Sequence, residues 1–381
     1  MKTNTTVSRR HFMGGAAAAL GYLGLKPGAD LLAAEPGNLY FPPWDDEYDA
    51  LAKLGFNENP WGPSASVFEA MTGAWKYANR YGYPDGDIHQ AIADHHGVPR
   101  DHVLMGAGSG EILRVVGLAF LAPGKKVVGV EPSYGSVYSH ASGLRADAIT
   151  LPLLENHRQY IPDMVETTNR NARNVGFVYL CNPNNPTGVT VSAAEVKELL
   201  DGIPEDMPIL IDEAYHHFVQ DPQYATSVPY VLEGRPVIVA RTFSKIYGLA
   251  AMRLGYAIAP PALIDHMSPF STGTINALVR WGGVAALNDK EAEERVRRDT
   301  IALRTKLASQ LEQWGHEVVP SETNFILVHT GRHARDLGTA FRERSIHVGR
   351  PFPPMEQYLR VSVGTEEEIG RLLEAWPQVF A

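Results

Sequence analysis

The sequence has very little cysteine and no excess of basic residues, and each scarcity excludes a class of protein. Its 381 residues include one cysteine, Cys181, which rules out a fold held together by disulfides. The 43 acidic residues outnumber the 34 lysines and arginines, so no nucleic-acid partner is expected. No apolar run reaches the roughly 18 residues of a membrane-spanning helix, so no membrane span is expected either. What remains is an ordinary globular composition, with 44% hydrophobic residues.

Residues 1–34 differ from this average. Arg9 and Arg10 precede Phe12 and a weakly apolar stretch that is too short to cross a bilayer. The pattern resembles a twin-arginine export signal, with small residues near Ala34 as the cleavage region. We therefore predict that residues 1–34 are a leader and that the protein is periplasmic or exported. A disordered arm on a cytoplasmic protein is the alternative.

Short, almost continuously apolar runs alternate with helical patterns over residues 100–260. Such runs are typical of strands buried on both faces. They are His102–Met105, Lys126–Val130, Val175–Leu180, Ile209–Ile211, Val237–Ala240 and Gly255–Ala259. The alternation predicts an open, largely parallel α/β sheet with helices on both faces.

The pattern changes after about residue 275. A long charged amphipathic segment over 289–314 is followed by two strand candidates, Asn324–Val328 and Tyr358–Val363. A helix then begins at Thr365, where Glu368 completes a capping box. We predict a large domain over 76–275 and a smaller α+β domain over 276–381. Residues 35–75 are predicted to be an arm and part of the small domain.

Unusual residue clusters follow five of the predicted strands. They are Gly106–Gly110, Glu131–Tyr134, Cys181–Gly188, Asp212–Tyr215 and Arg241–Lys245. Because ligands of open α/β sheets bind at the carboxyl ends of the strands, we predict one shared site. The glycine-rich turn leads into a helix whose N–H groups suit a phosphate, although a purely structural turn fits equally well.

Lys245 and Asp212 are the ionisable residues in these clusters that most need an explanation. Each follows a strand expected to be buried, where a charge is costly unless it is used or paired. Partial burial, with Arg253 nearby, lowers the pKa of a lysine and favours attack on a carbonyl. For Asp212, a helix cap or a salt bridge is the alternative.

The histidines give no metal signature. The sequence has no H-E-x-x-H pattern, and we predict no metal site. His95-His96 and His216-His217 are adjacent pairs, whose side chains we expect to diverge into solvent or local contacts.

Taken together, the motifs resemble those of fold-type I pyridoxal-phosphate aminotransferases, and more narrowly those of the histidinol-phosphate aminotransferase family. They run in family order over about residues 50–370. The matching segments are Asn57–Pro60, Tyr83–Asp85, Pro132–Gly135, Asn182–Gly188, Asp212–Tyr215, Arg241–Tyr256 and Leu359–Thr365. The resemblance implies a mostly parallel seven-stranded sheet, with pyridoxal 5'-phosphate bound in the large domain.

The resemblance also implies roles for single residues. Lys245 would bond to the cofactor and move the proton of the reacting carbon, and Asp212 would keep the ring nitrogen protonated. Tyr215 and Asn185 would bind the ring oxygen, and Tyr134 would stack on the ring. The residues implied to bind the cofactor's phosphate are Ser109, Gly110, Ser244 and Arg253.

Two further roles concern the substrate and the partner subunit. Arg360 would clamp the substrate carboxylate. Tyr83 resembles the tyrosine that reaches the cofactor phosphate of the partner subunit, which implies a homodimer with shared sites.

Two departures from the family concern the substrate. Trp61 stands where a tyrosine is usual near the substrate mouth, and Arg350 is displaced by Gly349 from the position that holds the substrate phosphate. We therefore predict a transaminase for an unphosphorylated, aromatic or otherwise bulky amino acid and a 2-oxo acid. The alternatives are a histidinol-phosphate:2-oxoglutarate aminotransferase, a decarboxylase or lyase of the same fold, and a non-catalytic binding protein.

Overall fold

The computed structural model describes residues 46–144 and 146–381. The predicted leader over 1–34, and the part of the predicted arm up to residue 45, lie outside these residues. The chain divides into two compact units, residues 1–50 and 51–381. In the first unit, the described residues form one short helix, α1 (Asp46–Asp49). No helix in the described residues is long and apolar enough to cross a membrane.

The second unit contains all of the described strands. They are β1 (Ala52–Leu54), β2 (Val103–Gly106), β3 (Lys126–Glu131), β4 (Asp147–Pro152), β5 (Val175–Cys181), β6 (Ile209–Asp212), β7 (Val237–Thr242), β8 (Gly255–Ile258), β9 (Glu317–Val319), β10 (Phe325–His329), β11 (Ile346–Val348) and β12 (Tyr358–Ser362).

The α-helices of this unit follow the strands in alternation up to β7. They are α2 (Ala65–Gly73), α3 (Ile88–His96), α4 (Ser109–Phe120), α5 (Ser136–Gly143), α6 (Ile161–Asn171), α7 (Ala193–Gly202), α8 (Val228–Leu232), α9 (Pro261–Met267), α10 (Ala277–Asn288), α11 (Lys290–Gln313), α12 (Ala334–Arg342) and α13 (Glu366–Phe380). The capping box predicted at Thr365 is confirmed at the start of α13, and Ser192 and Glu195 form a second capping box at the start of α7.

The main sheet has seven strands in the order β2-β8-β7-β6-β5-β3-β4. Strand β8 is antiparallel to both of its neighbours, and the other pairings are parallel. Ile209 and Ile211 pack into one hydrophobic cluster, whereas Leu210 packs into another on the opposite face. Helices therefore cover both faces, which confirms the predicted mostly parallel α/β fold.

A smaller structure follows the main sheet. Strands β12, β10 and β9 form an antiparallel sheet, and β1 pairs with β11 in parallel. They share a hydrophobic cluster with α11, α12 and α13. Val279 and Val296 belong instead to a cluster of the main sheet, so the cores divide later along the chain than the predicted boundary at residues 275 and 276.

Candidate active site

The predicted clusters meet at a cavity of about 960 Å³ at the carboxyl ends of the central strands. Most of the predicted site residues line it. They are Ser109, Gly110, Tyr134, Asn185, Asp212, Tyr215, Ser244, Lys245, Arg253, Arg350 and Arg360. Parallel strands point their carboxyl ends to the same edge, which explains why residues distant in sequence converge here.

Lys245 lies just beyond the end of β7, where its side chain is partly buried. Its Nζ donates to the carbonyl oxygens of Asn57 at 2.8 Å and Phe56 at 3.2 Å. Burial, together with the charge of Arg360, lowers the pKa of Lys245 to about 8. Near neutral pH an appreciable fraction of this amine is therefore unprotonated and able to attack a carbonyl.

Asp212 is the last residue of β6 and is almost fully buried. Its carboxylate accepts a hydrogen bond from the Ala214 N–H at 3.2 Å, and the Tyr179 hydroxyl lies 3.5 Å away. Burial raises the pKa of Asp212 to about 6. Within the described residues no cation forms an ion pair with it, so the side chain suits a protonated ring nitrogen in the cavity.

Tyr215 sits at the centre of a buried network of amides. Its hydroxyl accepts hydrogen bonds from Asn57 Nδ2 at 3.0 Å and Asn185 Nδ2 at 3.3 Å. Burial raises the pKa of Tyr215 above its usual value, so the hydroxyl stays protonated and able to donate. Asn57 was not among the predicted site residues, although its motif, Asn57–Pro60, was recognised.

Asn57 connects this network to the smaller sheet. Its own N–H donates to Ser362 Oγ at 2.8 Å, and Ser362 Oγ donates to Asn57 Oδ1 at 3.0 Å. The backbone of Asn57 has a left-handed φ of 56°, which asparagine tolerates better than most residues. Asn57 therefore orients Tyr215 with its side chain and also accepts a hydrogen bond from Lys245 with its carbonyl oxygen.

The glycine turn and Arg253 form a cradle for an anion. Helix α4 begins at Ser109 with no side-chain cap, which leaves its first N–H groups facing the cavity. Gly108 has a φ of 79°, and a Cβ there would clash with the Arg253 guanidinium. Arg253 also approaches Ser244, with 3.4 Å between Nη1 and Oγ. A phosphate fits this arrangement of N–H groups, hydroxyl and guanidinium.

Arg360 is 6% exposed and reaches the cavity from β12. Nη1 donates to Asn185 Oδ1 and Nη2 donates to the Gly55 carbonyl, both at 2.7 Å. Its buried Nε has no partner within the described residues. Burial lowers the pKa of Arg360 to about 10, so the side chain remains cationic near neutral pH. A fixed guanidinium of this kind suits a carboxylate or phosphate.

The outer part of the cavity is formed by α12 and the segment after β11. The Arg350 guanidinium lies 4.3 Å from the centre of the Phe352 ring, and Nη1 donates to the Pro351 carbonyl. A Cβ at Gly349 would lie 2.6 Å from the Arg360 carbonyl oxygen. Close backbone packing therefore excludes a side chain at Gly349 and explains why the arginine is displaced to the next position.

Two predicted site residues do not line the cavity. Trp61 is 38% exposed, and its N–H donates to Asn59 Oδ1 at 3.0 Å. The Tyr83 hydroxyl donates to the Ile275 carbonyl at 3.3 Å. Their predicted roles at the substrate mouth and in a partner subunit stay predictions.

The side chains of the histidine pairs do not diverge as predicted, although the local contacts that the prediction allowed are present. The rings of His216 and His217 are 3.8 Å apart, and His96 Nε2 lies 2.7 Å from the Tyr256 hydroxyl. Burial lowers the pKa of His95 to about 4 and that of His96 to about 2. All four histidines are partly buried, so their side chains are neither fully exposed to solvent nor fully in the interior.

Comparisons with known proteins agree with this geometry. The family described as "Aminotransferase class I and II" matches residues 50–375. Histidinol-phosphate aminotransferase of Symbiobacterium thermophilum is 35% identical over 85% of this chain and 89% of its own length. That of Maricaulis maris is 33% identical over 93% of this chain and 98% of its own.

A solved structure extends the likeness to the fold and the cofactor. The histidinol-phosphate aminotransferase of Sinorhizobium meliloti, in complex with pyridoxal-5'-phosphate, is 25% identical with a TM-score of 0.80. The alignment covers 93% of this chain and 98% of that one. The chain therefore belongs to the class I and II aminotransferases, pyridoxal-phosphate enzymes of fold type I, and to their histidinol-phosphate aminotransferase-like family.

Proposed function

We propose that the enzyme moves an amino group from a donor of the histidinol-phosphate type to a 2-oxo acid. The observation that carries the proposal is the arginine lining of the cavity, with Arg360 at its inner end and Arg335, Arg342 and Arg350 farther out. Both the phosphate ester of such a donor and the carboxylates of an oxo acid are anions. The relatives support this phosphorylated donor better than the unphosphorylated amino acid predicted from Gly349 and Arg350.

The residues of the cavity fit the cofactor from three sides. Asp212 would face the ring nitrogen, Tyr215 would donate to the ring oxygen, and the cradle of Ser109, Ser244 and Arg253 would bind the phosphate. When bound, pyridoxal phosphate supplies an aldehyde for the amine and a ring that withdraws electrons from the reacting carbon.

The chain's own residues would bind the substrate and move its proton. Lys245, with its lowered pKa, would accept the proton of the reacting carbon and return it to the other reacting position. Arg360 would hold the carboxylate of the 2-oxo acid that accepts the amino group. Asn57 and Asn185 would hold Tyr215 in the orientation from which it donates.

The test is the half-reaction of purified enzyme with a panel of amino donors, followed by the visible absorbance of the bound cofactor. Histidinol phosphate, glutamate and phenylalanine are the main members of the panel. We expect histidinol phosphate to have the highest kcat/KM among donors, with 2-oxoglutarate accepting the nitrogen. A preference for phenylalanine over histidinol phosphate would overturn the proposed donor.

An unphosphorylated aromatic or bulky donor is the second candidate. Phe56 and Phe352 line the cavity, and Arg350 stacks on Phe352. Release of carbon dioxide without an oxo-acid product would identify a decarboxylase instead.

We also propose a homodimer with shared sites. Tyr83 lies outside the cavity of its own subunit, as a residue serving a partner's cavity would. The test mixes inactive Lys245→Ala subunits with Tyr83→Phe subunits. If Tyr83 acts across the interface, hybrid dimers regain a complete site and activity exceeds that of either parent; no gain excludes the shared site.

Export is a separate proposal, supported by the Arg9-Arg10 pair. Fractionation of cells that express the full chain, compared with its Arg9→Lys/Arg10→Lys variant, tests it. Retention of both forms in the cytoplasm would refute export.

A further inference from the structure

One face of α12 (Ala334–Arg342) lines the outer part of the cavity and carries two arginines. The helix buries Leu337 and Phe341 in the smaller core. The residues that line the cavity recur at the spacing of one helix face, and they include Arg335, Gly338, Thr339 and Arg342. The sequence motifs did not mark this face, because it lies between them.

Neither guanidinium on this face is bound by another of the described residues. Within the described residues, Arg335 and Arg342 donate no side-chain hydrogen bond and form no ion pair, although many other arginines do. Exposed cationic side chains that line a concave site and have no partner among the described residues are available to a ligand. Gly338, between them, leaves open space, since a Cβ there would meet nothing within 4 Å.

The charge of this region is positive overall. Among the described residues, Arg335, Arg342 and Arg350 line this region together with one carboxylate, that of Glu343. Burial and the nearby Arg342 charge lower the pKa of His347, which keeps the imidazole neutral. A concave surface with an excess of cations attracts and retains anions.

The packing around Gly349 and Arg350 explains why an anion in the outer part of the cavity would be bound by α12. Packing against Arg360 excludes a side chain at Gly349, and Arg350 stacks on Phe352 and donates to Pro351. For an anionic group that extends beyond the inner Arg360, the arginines of α12 are therefore further cations that line the cavity.

We propose that Arg335 and Arg342 determine substrate specificity by binding an anionic group that lies beyond the reacting carbon. That group is a phosphate ester or a second carboxylate, both of which match a guanidinium fork. The inference rests on the proposed function, because it concerns which substrates the same cavity accepts.

The experiment compares two matched pairs of donors in the half-reaction. Histidinol differs from histidinol phosphate only by the phosphate, and 2-aminobutyrate lacks the side-chain carboxylate of glutamate. The variants are Arg335→Ala, Arg342→Ala and the double variant. Arg344→Ala is the matched control, because Arg344 is exposed near the end of the same helix, donates to the Ala340 carbonyl and does not line the cavity.

We expect each single variant to lower kcat/KM about tenfold for the anionic member of at least one pair. For the uncharged member of each pair, kcat/KM should stay within about twofold of the wild-type value. Arg344→Ala should leave the ratio of kcat/KM between the two members of each pair unchanged. A loss confined to the phosphate pair identifies the phosphate as the bound group, and a loss confined to glutamate identifies the carboxylate.

Two results overturn the inference. If the wild-type enzyme and the double variant prefer the anionic donor of each pair by the same ratio of kcat/KM, α12 does not bind the anion. The proposed function stands in that case. If the variants lose activity equally on charged and uncharged donors, the arginines are structural. Failure of the wild-type enzyme to transaminate any phosphorylated donor refutes the proposed function itself, a result that needs no variant.

Discussion

Replacing Arg360 with lysine separates the guanidinium geometry from positive charge alone. Arg360 makes two 2.7 Å hydrogen bonds, to Asn185 Oδ1 and to the Gly55 carbonyl, which fix its plane in the cavity. Lysine keeps a charge but cannot donate to both of these groups and also to both oxygens of a carboxylate.

The size of the effect follows from the contacts that are lost. Hydrogen bonds to a charged group contribute about 1.5–3 kcal/mol each, and Arg360→Lys removes at least one such bond to the substrate. The buried Asn185 Oδ1 also loses its donor, which loosens the amide that donates to Tyr215. Together these losses predict a decrease of about 3 kcal/mol in transition-state stabilisation, or roughly a hundredfold in kcat/KM for glutamate.

The assay is the single-turnover half-reaction with glutamate, read at the absorbance of the bound cofactor. The amount of cofactor bound per subunit before substrate is added is the control, and it should match that of the wild-type enzyme because Arg360 does not belong to the phosphate cradle. The reasoning is refuted if kcat/KM falls less than about threefold while the variant carries its full complement of cofactor.

Three other predictions concern charge in and behind the site. In the cofactor-free enzyme, the rate at which an amine reagent labels Lys245 should increase with pH through a midpoint near pH 8, because burial disfavours the protonated amine. A midpoint near pH 10.5 would contradict the lowered pKa. Burial raises the pKa of Asp212 to about 6, so the cost of its charge is small at pH 4, grows between pH 4 and pH 6 and is nearly complete at pH 7. Asp212→Asn should therefore stabilise the cofactor-free protein by up to about 3 kcal/mol at pH 7 in urea unfolding, and an advantage that does not grow from pH 4 to pH 7 would contradict this reasoning. Glu213→Gln should lower the free energy of unfolding by about 3–5 kcal/mol in the same measurement, because it leaves the charge of buried Arg241 unpaired. The double variant Glu213→Gln/Arg241→Met should recover part of that loss; equal losses in the two variants would show that the unpaired charge is not the cause.

The sequence was sufficient for the main sheet because its strands are buried on both faces. Ile209–Ile211 and Val237–Ala240 are continuous apolar runs followed at once by polar residues, so both the strand and the end that forms the site can be recognised in the sequence. Strand β4 (Asp147–Pro152) was missed, because it lies at the sheet edge with every residue at least partly exposed and lacks such a run. The three-residue strands β1 and β11 are too short for any periodicity.

Site residues could be predicted where a motif coincides with the end of a strand. They could not be predicted where tertiary packing decides whether a side chain reaches the cavity. Arg241 looked like part of the lysine motif, yet it lies behind the sheet, paired with Glu213 and surrounded by histidines. The arginine face of α12 has no local signature, because an exposed amphipathic helix with charged residues looks the same whether it faces solvent or a cavity. Only the folded chain distinguishes the two.

Asn57 shows why the catalytic geometry depends on both sheets. Its side chain donates to Tyr215 beyond β6, its carbonyl accepts from Lys245 beyond β7, and its N–H is fixed by Ser362 at the end of β12. A shift of the smaller sheet would therefore move the groups that hold Tyr215 and Lys245. Because Arg360 lies on β12 with Ser362, a substrate anion bound to Arg360 contacts the same strand that positions Asn57. Substrate binding and alignment of the reacting groups are thus coupled through one strand, which a cavity built from the main sheet alone would not provide.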